Sequence, residues 1–286
     1  MSAGLMFARA GRTRKLNKGE FVMSDFRFGF TRGFEESQLL KEIGADFHEL
    51  NLGNIAGLTD EQVDSYIAEA KQNGYSYEAA NCMIPGEYKF TVDNPDYAAL
   101  DAYFEKAFSR AKRLGIKVVV MGSSGARNFP EGVSYDTAFE RLVYCLKNHI
   151  VPVCEKYGIV CALENLSYGE SNILNTIDES LKAVQASGSE MIKILVDFYH
   201  FGYNKDSFDA IRKAKDHIVH IHVASVINGR VYPAPDDGED YKALTDLLRE
   251  IGYDKREGRI SFEARVPEGL EFADCAKSSL ELFRKL

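Results

Sequence analysis

The sequence predicts an α/β protein folded as a closed (β/α)8 TIM barrel. Short apolar β-type runs alternate with amphipathic helical stretches along the chain. Alternating units of this kind produce parallel sheet, and eight of them over about 260 residues fit a closed barrel better than an open doubly wound sheet. The absence of a GxGxxG nucleotide-binding motif after the first strand agrees with that choice.

The elements of the first half follow in order. The first four strands are the aliphatic and aromatic runs FRFGF, DFHELNL, SYEAANCMI and IKVVVMG. The helical spacing of apolar residues predicts helices over 35–43, 59–73, 96–114 and 136–157. Gly115 and Gly158 follow the last two helices, at the position where a left-handed cap ends a helix.

The four strands of the second half have unusual endings. Their runs are IVCALE, MIKILVD, HIVHIH and RISFE, and helical stretches begin at Asp178, Phe208, Tyr241 and Phe272. The runs are largely apolar but close on Glu164, Asp197, His222 and Glu263. A buried charged group needs a partner or a metal, because an unpaired carboxylate is costly to remove from water. Since the carboxyl ends of barrel strands meet at one mouth, these residues predict one convergent site.

Three carboxylates and one imidazole form an oxygen-rich set of ligands. Such a set suits Mn²⁺, Mg²⁺ or Co²⁺, because it contains less nitrogen and sulfur than a typical zinc site. We expect Mn²⁺. For any one of these residues alone, the alternative is a strand-end group paired with a lysine or arginine on a helix. Four such endings in succession favour the metal.

Composition restricts the class of protein. A chain of 286 residues, 45% of them hydrophobic, suffices for one large core, and we expect a single catalytic domain over 24–286. The net charge of −8 argues against a nucleic-acid partner, because such proteins usually present a basic stripe. No apolar run approaches the roughly 20 residues of a membrane helix. An odd number of cysteines without a CxxC pair favours a reduced, cytoplasmic protein.

The start of the chain differs from the rest in charge. Its first 23 residues carry several lysines and arginines and one acid, Glu20. This composition lacks a convincing apolar face, so we expect a basic, flexible tail over 1–23 rather than a transit peptide.

Several segments resemble the xylose isomerase-like superfamily of sugar isomerases and epimerases, which includes ketose 3-epimerases and hydroxypyruvate isomerase. The segments are ALEN at 162–165, VDFYH at 196–200, HIHVAS at 220–225, SFEARV at 261–266 and the loop MGSSGARNFPEG at 121–132. The resemblance runs from about residue 26 to the C-terminus. It implies one divalent ion bound through Glu164, Asp197, His222 and Glu263.

The same resemblance implies that His200, Glu170 and Arg230 contact the substrate. The sequence departs from the pattern at Ser225, where many relatives have an acid.

The residues themselves suggest three further contacts. Arg127 holds either a substrate oxygen or its own loop, and Cys82 either lines the pocket or packs as a small buried hydrophobe. His48 and Glu49 end the second strand; one of them lines the mouth, unless both are structural.

The predicted chemistry is proton transfer on a small carbohydrate. A metal would polarise the carbonyl of a keto sugar and stabilise the enediolate, while Glu164 and Glu263 remove and return a proton on opposite faces. This predicts a sugar isomerase or epimerase. A dehydratase or lyase acting on a keto-inositol or sugar derivative could use the same site. An apurinic endonuclease is disfavoured by the acidic balance. We expect a homodimer or homotetramer.

Overall fold

The computed structural model describes residues 26–286. The predicted tail over 1–23 lies outside this range. The described chain contains eight strands: β1 Arg27–Thr31, β2 Phe47–Asn51, β3 Tyr77–Asn81, β4 Val118–Met121, β5 Val160–Glu164, β6 Ile192–Asp197, β7 Ile218–Val223 and β8 Arg259–Phe262.

The eight strands close into a parallel barrel. Each strand pairs with its neighbour in sequence, and β1 pairs with β8 to complete the ring. The predicted (β/α)8 TIM barrel is therefore confirmed.

Helices connect the strands and surround the barrel. They are α1 Ser37–Glu42, α2 Leu52–Gly57, α3 Asp60–Asn73, α4 Tyr97–Leu114, α5 Ser124–Arg127, α6 Tyr135–Cys145, α7 Val151–Tyr157, α8 Ile177–Ser187, α9 Phe198–Asn204, α10 Phe208–Ala214, α11 Tyr241–Glu250 and α12 Phe272–Phe283. Within residues 26–286, none of these is long and apolar enough to cross a membrane.

The helix predicted over 136–157 contains an irregular turn. A π-helical segment, Leu146–Ile150, separates α6 from α7 directly before Pro152, whose nitrogen cannot donate to the helical ladder. The short helices α2, α5 and α9 were absent from the sequence prediction. Each begins within three residues of a strand end, so its few residues carry little periodic signal.

Apolar side chains fill both sides of the barrel wall. Most of the core lies in one large cluster that includes the helices. A separate small cluster consists of Val118, Val120, Ala162 and Leu195. Because strand side chains alternate between faces, Ala162 and Leu195 share the inner face with Glu164 and Asp197. On the side of β5 and β6, the polar site therefore lies above an apolar layer.

Candidate metal centre

Four strand-end side chains meet at the C-terminal mouth of the barrel. One ligand atom from each of Glu164, Asp197, His222 and Glu263 lies within 4.8 Å of the others. His222 Nδ1 is 3.3 Å from Glu263 Oε2, 3.7 Å from Glu164 Oε1 and 3.9 Å from Asp197 Oδ2. The structure thus brings together all four residues that the strand endings single out.

Local structure orients Asp197 and Glu263. Asp197 ends β6 and caps α9, because its Oδ1 accepts the His200 backbone N–H at 3.0 Å. Oδ2 of Asp197 then faces the cluster. Glu263 directly follows β8, and its Oε1 accepts a hydrogen bond of 2.8 Å from the Asn81 side-chain amide. Each carboxylate therefore uses one oxygen for support and presents the other to the cluster.

The Glu164 carboxylate occupies space that is free because residue 122 is a glycine. A Cβ built on Gly122, just after β4, would lie 2.0 Å from Glu164 Oε2, far inside contact distance. Glycine at 122 therefore leaves the volume that the carboxylate occupies. Burial, together with the charges of Glu263 and Asp197, raises the pKa of Glu164.

His222 is held from behind by a buried carboxylate. Glu49 Oε1 lies 2.9 Å from His222 Nε2, and Glu49 Oε2 lies 2.7 Å from His220 Nε2. Burial alone would raise the pKa of Glu49, but the two histidines lower it. Burial likewise opposes protonation of His222, yet Glu49 and Glu263 raise its pKa well above the usual value.

Two ligand atoms of this cluster are buried without a hydrogen-bond partner: Glu164 Oε1 and His222 Nδ1. Buried polar atoms normally have partners, and unpaired ones are costly. Three converging carboxylates also repel one another. A divalent cation would satisfy both requirements, so the residues fit a metal ion.

Arg230 reaches the cluster from the loop after β7. Its backbone has a φ of 68°, an uncommon conformation for a residue with a side chain. One guanidinium nitrogen is 2.6 Å from Glu263 Oε2 and 3.7 Å from Asp197 Oδ2, and the other is 3.3 Å from Glu170 Oε1. The structure therefore joins Arg230 and Glu170 to the cluster.

His200 presents a donor toward the same place. Its Nδ1 accepts the backbone N–H of Ser167 at 3.1 Å, so a neutral ring carries its proton on Nε2. That Nε2 is buried without a hydrogen-bond partner and lies 3.9 Å from both Glu170 Oε2 and Asp197 Oδ2. The ring thus offers an unused N–H at the edge of the cluster.

A cavity of about 460 Å³ opens above the cluster. Glu164, Glu263, Glu170 and Arg230 line it, whereas Asp197 and His222 lie beneath its wall. Cys82 also lines this cavity, with a φ of 51°. Cys82 is exposed to the cavity rather than packed as a buried hydrophobe. Partial desolvation there and the nearby carboxylates raise the pKa of Cys82 to about 12, so its thiol is protonated at neutral pH.

Arg127 and His48 do not line the cavity, so the predicted substrate contacts of these two residues are wrong. Arg127 is fully buried, and its guanidinium donates to the carbonyls of Met121, Glu164 and Leu174 at 2.9–3.2 Å. It therefore holds its loop to the barrel.

His48 packs outside the barrel wall. Its ring nitrogens lie 3.0 Å from the Ser37 hydroxyl and 3.0 Å from the Arg32 carbonyl. Burial lowers the pKa of His48 to about 4, so the ring is neutral at physiological pH. Its role is structural.

Three supporting residues were not predicted in these roles: Asn81, Gly122 and, as the partner of His222, Glu49. Asn81 ends β3 and Gly122 directly follows β4, and a position at a strand end is the signal in the sequence that could have singled them out. Glu49 is the central residue of β2, which continues to Asn51, so the expectation that His48 and Glu49 end this strand is wrong.

A closed parallel barrel with acidic and imidazole side chains clustered at its C-terminal mouth is the architecture of a barrel enzyme. The profile of the xylose isomerase-like TIM barrel family matches residues 37–286, and the chain belongs to that family.

Two sugar epimerases resemble the chain in sequence. A D-psicose 3-epimerase from Agrobacterium fabrum is 27% identical over 216 residues, which is 74% of this chain and 73% of that protein. An L-ribulose 3-epimerase from Mesorhizobium japonicum is 30% identical over 97 residues, or 34% of this chain and 32% of that protein.

The fold has a solved counterpart in 3-keto-D-glucoside 4-epimerase from E. coli. That structure has a TM-score of 0.77 and 20% identity and covers 91% of this chain and 100% of its own. The predicted similarity to ketose 3-epimerases and the predicted enzyme class, an isomerase or epimerase, are confirmed.

Proposed function

We propose that this protein is a metal-dependent epimerase of a free keto sugar. The observation that carries the proposal is the convergence of Glu164, Asp197, His222 and Glu263 within 4.8 Å. The names of the relatives, D-psicose 3-epimerase and L-ribulose 3-epimerase, support epimerisation at C-3 of a ketose.

The four residues would hold one divalent ion. Three carboxylates and one imidazole favour Mn²⁺, with Mg²⁺ and Co²⁺ as alternatives. When bound, the ion would supply Lewis-acid polarisation of the substrate carbonyl. Glu164 Oε1 and His222 Nδ1, buried and unpaired, are the atoms that most require it.

Glu164 and Glu263 are the ligands suited to move protons. Of the four, these two line the cavity, so only they can reach a substrate carbon there. They come from β5 and from just after β8, which are separated around the barrel by β6 and β7. One carboxylate would take the proton next to the carbonyl, leaving an enediolate, and the other, as the acid, would return one from the opposite face.

His200, Arg230 and Glu170 would orient the substrate. The Arg230 guanidinium, which lines the cavity, can donate to substrate oxygens, and Glu170, also in the lining, can accept from a hydroxyl. His200 lies outside the lining with its Nε2 3.9 Å from Glu170 Oε2, so its N–H would act through Glu170. Arg230 is also placed by its stacking over the Tyr199 ring, 5.2 Å from the centroid. Arg230 lies against both Glu263 and Glu170, so a substrate bound to Arg230 and Glu170 would lie beside a proton-transferring carboxylate.

The charges of the cavity favour a substrate without phosphate. Glu164, Glu170 and Glu263 line the cavity, and Arg230, the one cation that residues 26–286 contribute to the lining, already lies against two of them. Arg127 is enclosed by backbone carbonyls. Arg265 is exposed and lies outside the lining. A phosphoryl group would therefore meet more carboxylates than cations.

Deuterium uptake from D₂O into a panel of free ketoses and keto-inositols, followed by NMR, tests the proposal. The protein is stripped with EDTA, reloaded with Mn²⁺ and compared with Glu164→Gln and Glu263→Gln. We expect label at C-3, dependent on Mn²⁺ and lost in both variants.

The position and fate of the label separate the alternatives. Label at C-1 would indicate aldose–ketose isomerisation, and loss of water from a keto-inositol would indicate the lyase. If metal-loaded protein incorporates no deuterium into any ketose, the epimerase proposal is wrong.

A further inference from the structure

Glu49 is a buried carboxylate that the predicted chemistry leaves without a role. It lies on β2 with no exposed surface, and its side chain contacts His220 and His222 on β7. Strands β2 and β7 are not neighbours, since β1 and β8 stand between them. The contact therefore crosses the interior of the barrel beneath the metal cluster.

Both oxygens of Glu49 are used by imidazoles. Oε1 lies 2.9 Å from His222 Nε2 and Oε2 lies 2.7 Å from His220 Nε2. The hydroxyl of Ser261 is a further 3.3 Å contact of His220 Nε2. A carboxylate that is hydrogen-bonded through both oxygens cannot rotate freely. The positions of the Glu49 carboxylate and of the two imidazole rings are therefore fixed together.

The contact with Glu49 determines which nitrogen of His222 faces the cluster. A carboxylate can only accept, so the nitrogen against Glu49 must carry a proton. His222 Nδ1 then remains for the cluster, where it lies 3.3–3.9 Å from the three carboxylates and has no hydrogen-bond partner. Without Glu49, the ring would be free to place a proton on Nδ1.

We propose that Glu49 is a positioning residue of the metal centre, which holds the His222 ring so that Nδ1 is presented to the metal ion. This inference rests on the metal site of the proposed function. A carboxylate behind a ligand histidine fixes the ring and raises its basicity, and its removal typically weakens metal affinity about 10- to 100-fold.

Glu49, His220 and His222 could also be considered as a second metal site, because their ligand atoms are close together. The 2.7 and 2.9 Å distances are those of direct hydrogen bonds, however, and both histidines present to Glu49 the nitrogen that would have to bind an ion. The group is closed on itself, so we expect one ion per chain.

Calorimetric titration of metal-free protein with Mn²⁺ tests the proposal. In Glu49→Gln the amide oxygen can accept from one histidine only, while the amide nitrogen faces the other. We expect the Mn²⁺ dissociation constant to rise about 10- to 100-fold with one ion bound per chain.

Glu78→Gln is the matched control, because Glu78 is also buried and paired with a charged side chain. It lies near the N-terminal end of β3, at the opposite end of the barrel from the candidate metal centre. We expect it to bind Mn²⁺ as the wild type does. Equal affinities of Glu49→Gln and Glu78→Gln would overturn the role of Glu49 alone. Wild-type protein that binds no Mn²⁺ would overturn the metal site itself. A second ion that binds the wild type but not Glu49→Gln would show that Glu49 is a direct metal ligand, and would overturn its role as a positioning residue.

A measurement on the wild type covers the case in which Glu49→Gln does not fold. In ¹⁵N-histidine-labelled protein saturated with diamagnetic Mg²⁺, long-range ¹⁵N–¹H correlation identifies the protonated ring nitrogen. We expect a proton on His222 Nε2. A proton on Nδ1 would show that the ring is presented the other way and would overturn the proposal.

Discussion

Replacing Gly122 with alanine should disable the site through a single methyl group. The added Cβ would lie 2.0 Å from Glu164 Oε2 and 3.1 Å from its carboxyl carbon. The backbone at 122 does not have the left-handed conformation that would strain alanine, so the conflict is with the Glu164 side chain alone. The carboxylate must move, because the position of the new methyl group is fixed by the backbone of a buried strand end.

The required movement sets the size of the effect. Glu164 Oε2 has to retreat by about 1 Å to reach even the closest tolerable contact, and a misplacement of about 1 Å can cost about 100-fold in rate. A 100-fold loss corresponds to about 2.7 kcal/mol in the activation barrier. The same shift should weaken Mn²⁺ binding, because Glu164 Oε1 belongs to the cluster.

The assay is kcat/KM for ketose epimerisation at saturating Mn²⁺, with the thermal midpoint measured in parallel. Gly57→Ala is the control, because a Cβ there meets nothing within 4 Å and Gly57 lies at the end of α2. We expect Gly57→Ala to retain wild-type activity. If folded Gly122→Ala does so too, the position of Glu164 in this structure is not the catalytic one.

Three further predictions concern charged residues. Arg230→Gln should raise KM without weakening Mn²⁺ binding, because its guanidinium stands 3.7 Å from Asp197 and opposes a second cation; weaker Mn²⁺ binding would contradict this. Arg127→Met should lower the urea midpoint by the equivalent of at least about 2 kcal/mol, since buried carbonyls lose their donors, and an unchanged midpoint would exclude that role. Burial alone would raise the pKa of Glu78, but Arg27 and nearby cations lower it from 4.5 to about 2. Its stabilisation is therefore present above pH 4.5 and lost toward pH 2, so the midpoints of wild type and Glu78→Gln should differ at pH 6 and converge on acidification.

The sequence allowed the barrel and the convergence of the four strand-end side chains to be predicted, because both leave a strong local pattern. Each of the last four strands is an apolar run that ends on a residue unsuited to a core, and this contrast is visible without any knowledge of neighbours. Parallel strands in a barrel then bring their ends together, so the fold and the cluster support each other.

The supporting contacts could not be predicted, because they depend on the path of loops and on register. His48 and Glu49 are adjacent and must face opposite sides of β2, but the inward one is not evident from the run DFHELNL. The β2–β3 register also shifts between these two residues. Arg127 likewise ends the short helix α5, and only the folded structure shows that its guanidinium meets backbone carbonyls.

Anomalous diffraction at the manganese edge, from crystals grown with Mn²⁺, tests the central claim most directly. We expect one anomalous peak per chain, bounded by Glu164, Asp197, His222 Nδ1 and Glu263. A peak bound by other residues, or an absence of manganese among these four in crystals that contain it elsewhere, would contradict the assignment of the metal centre.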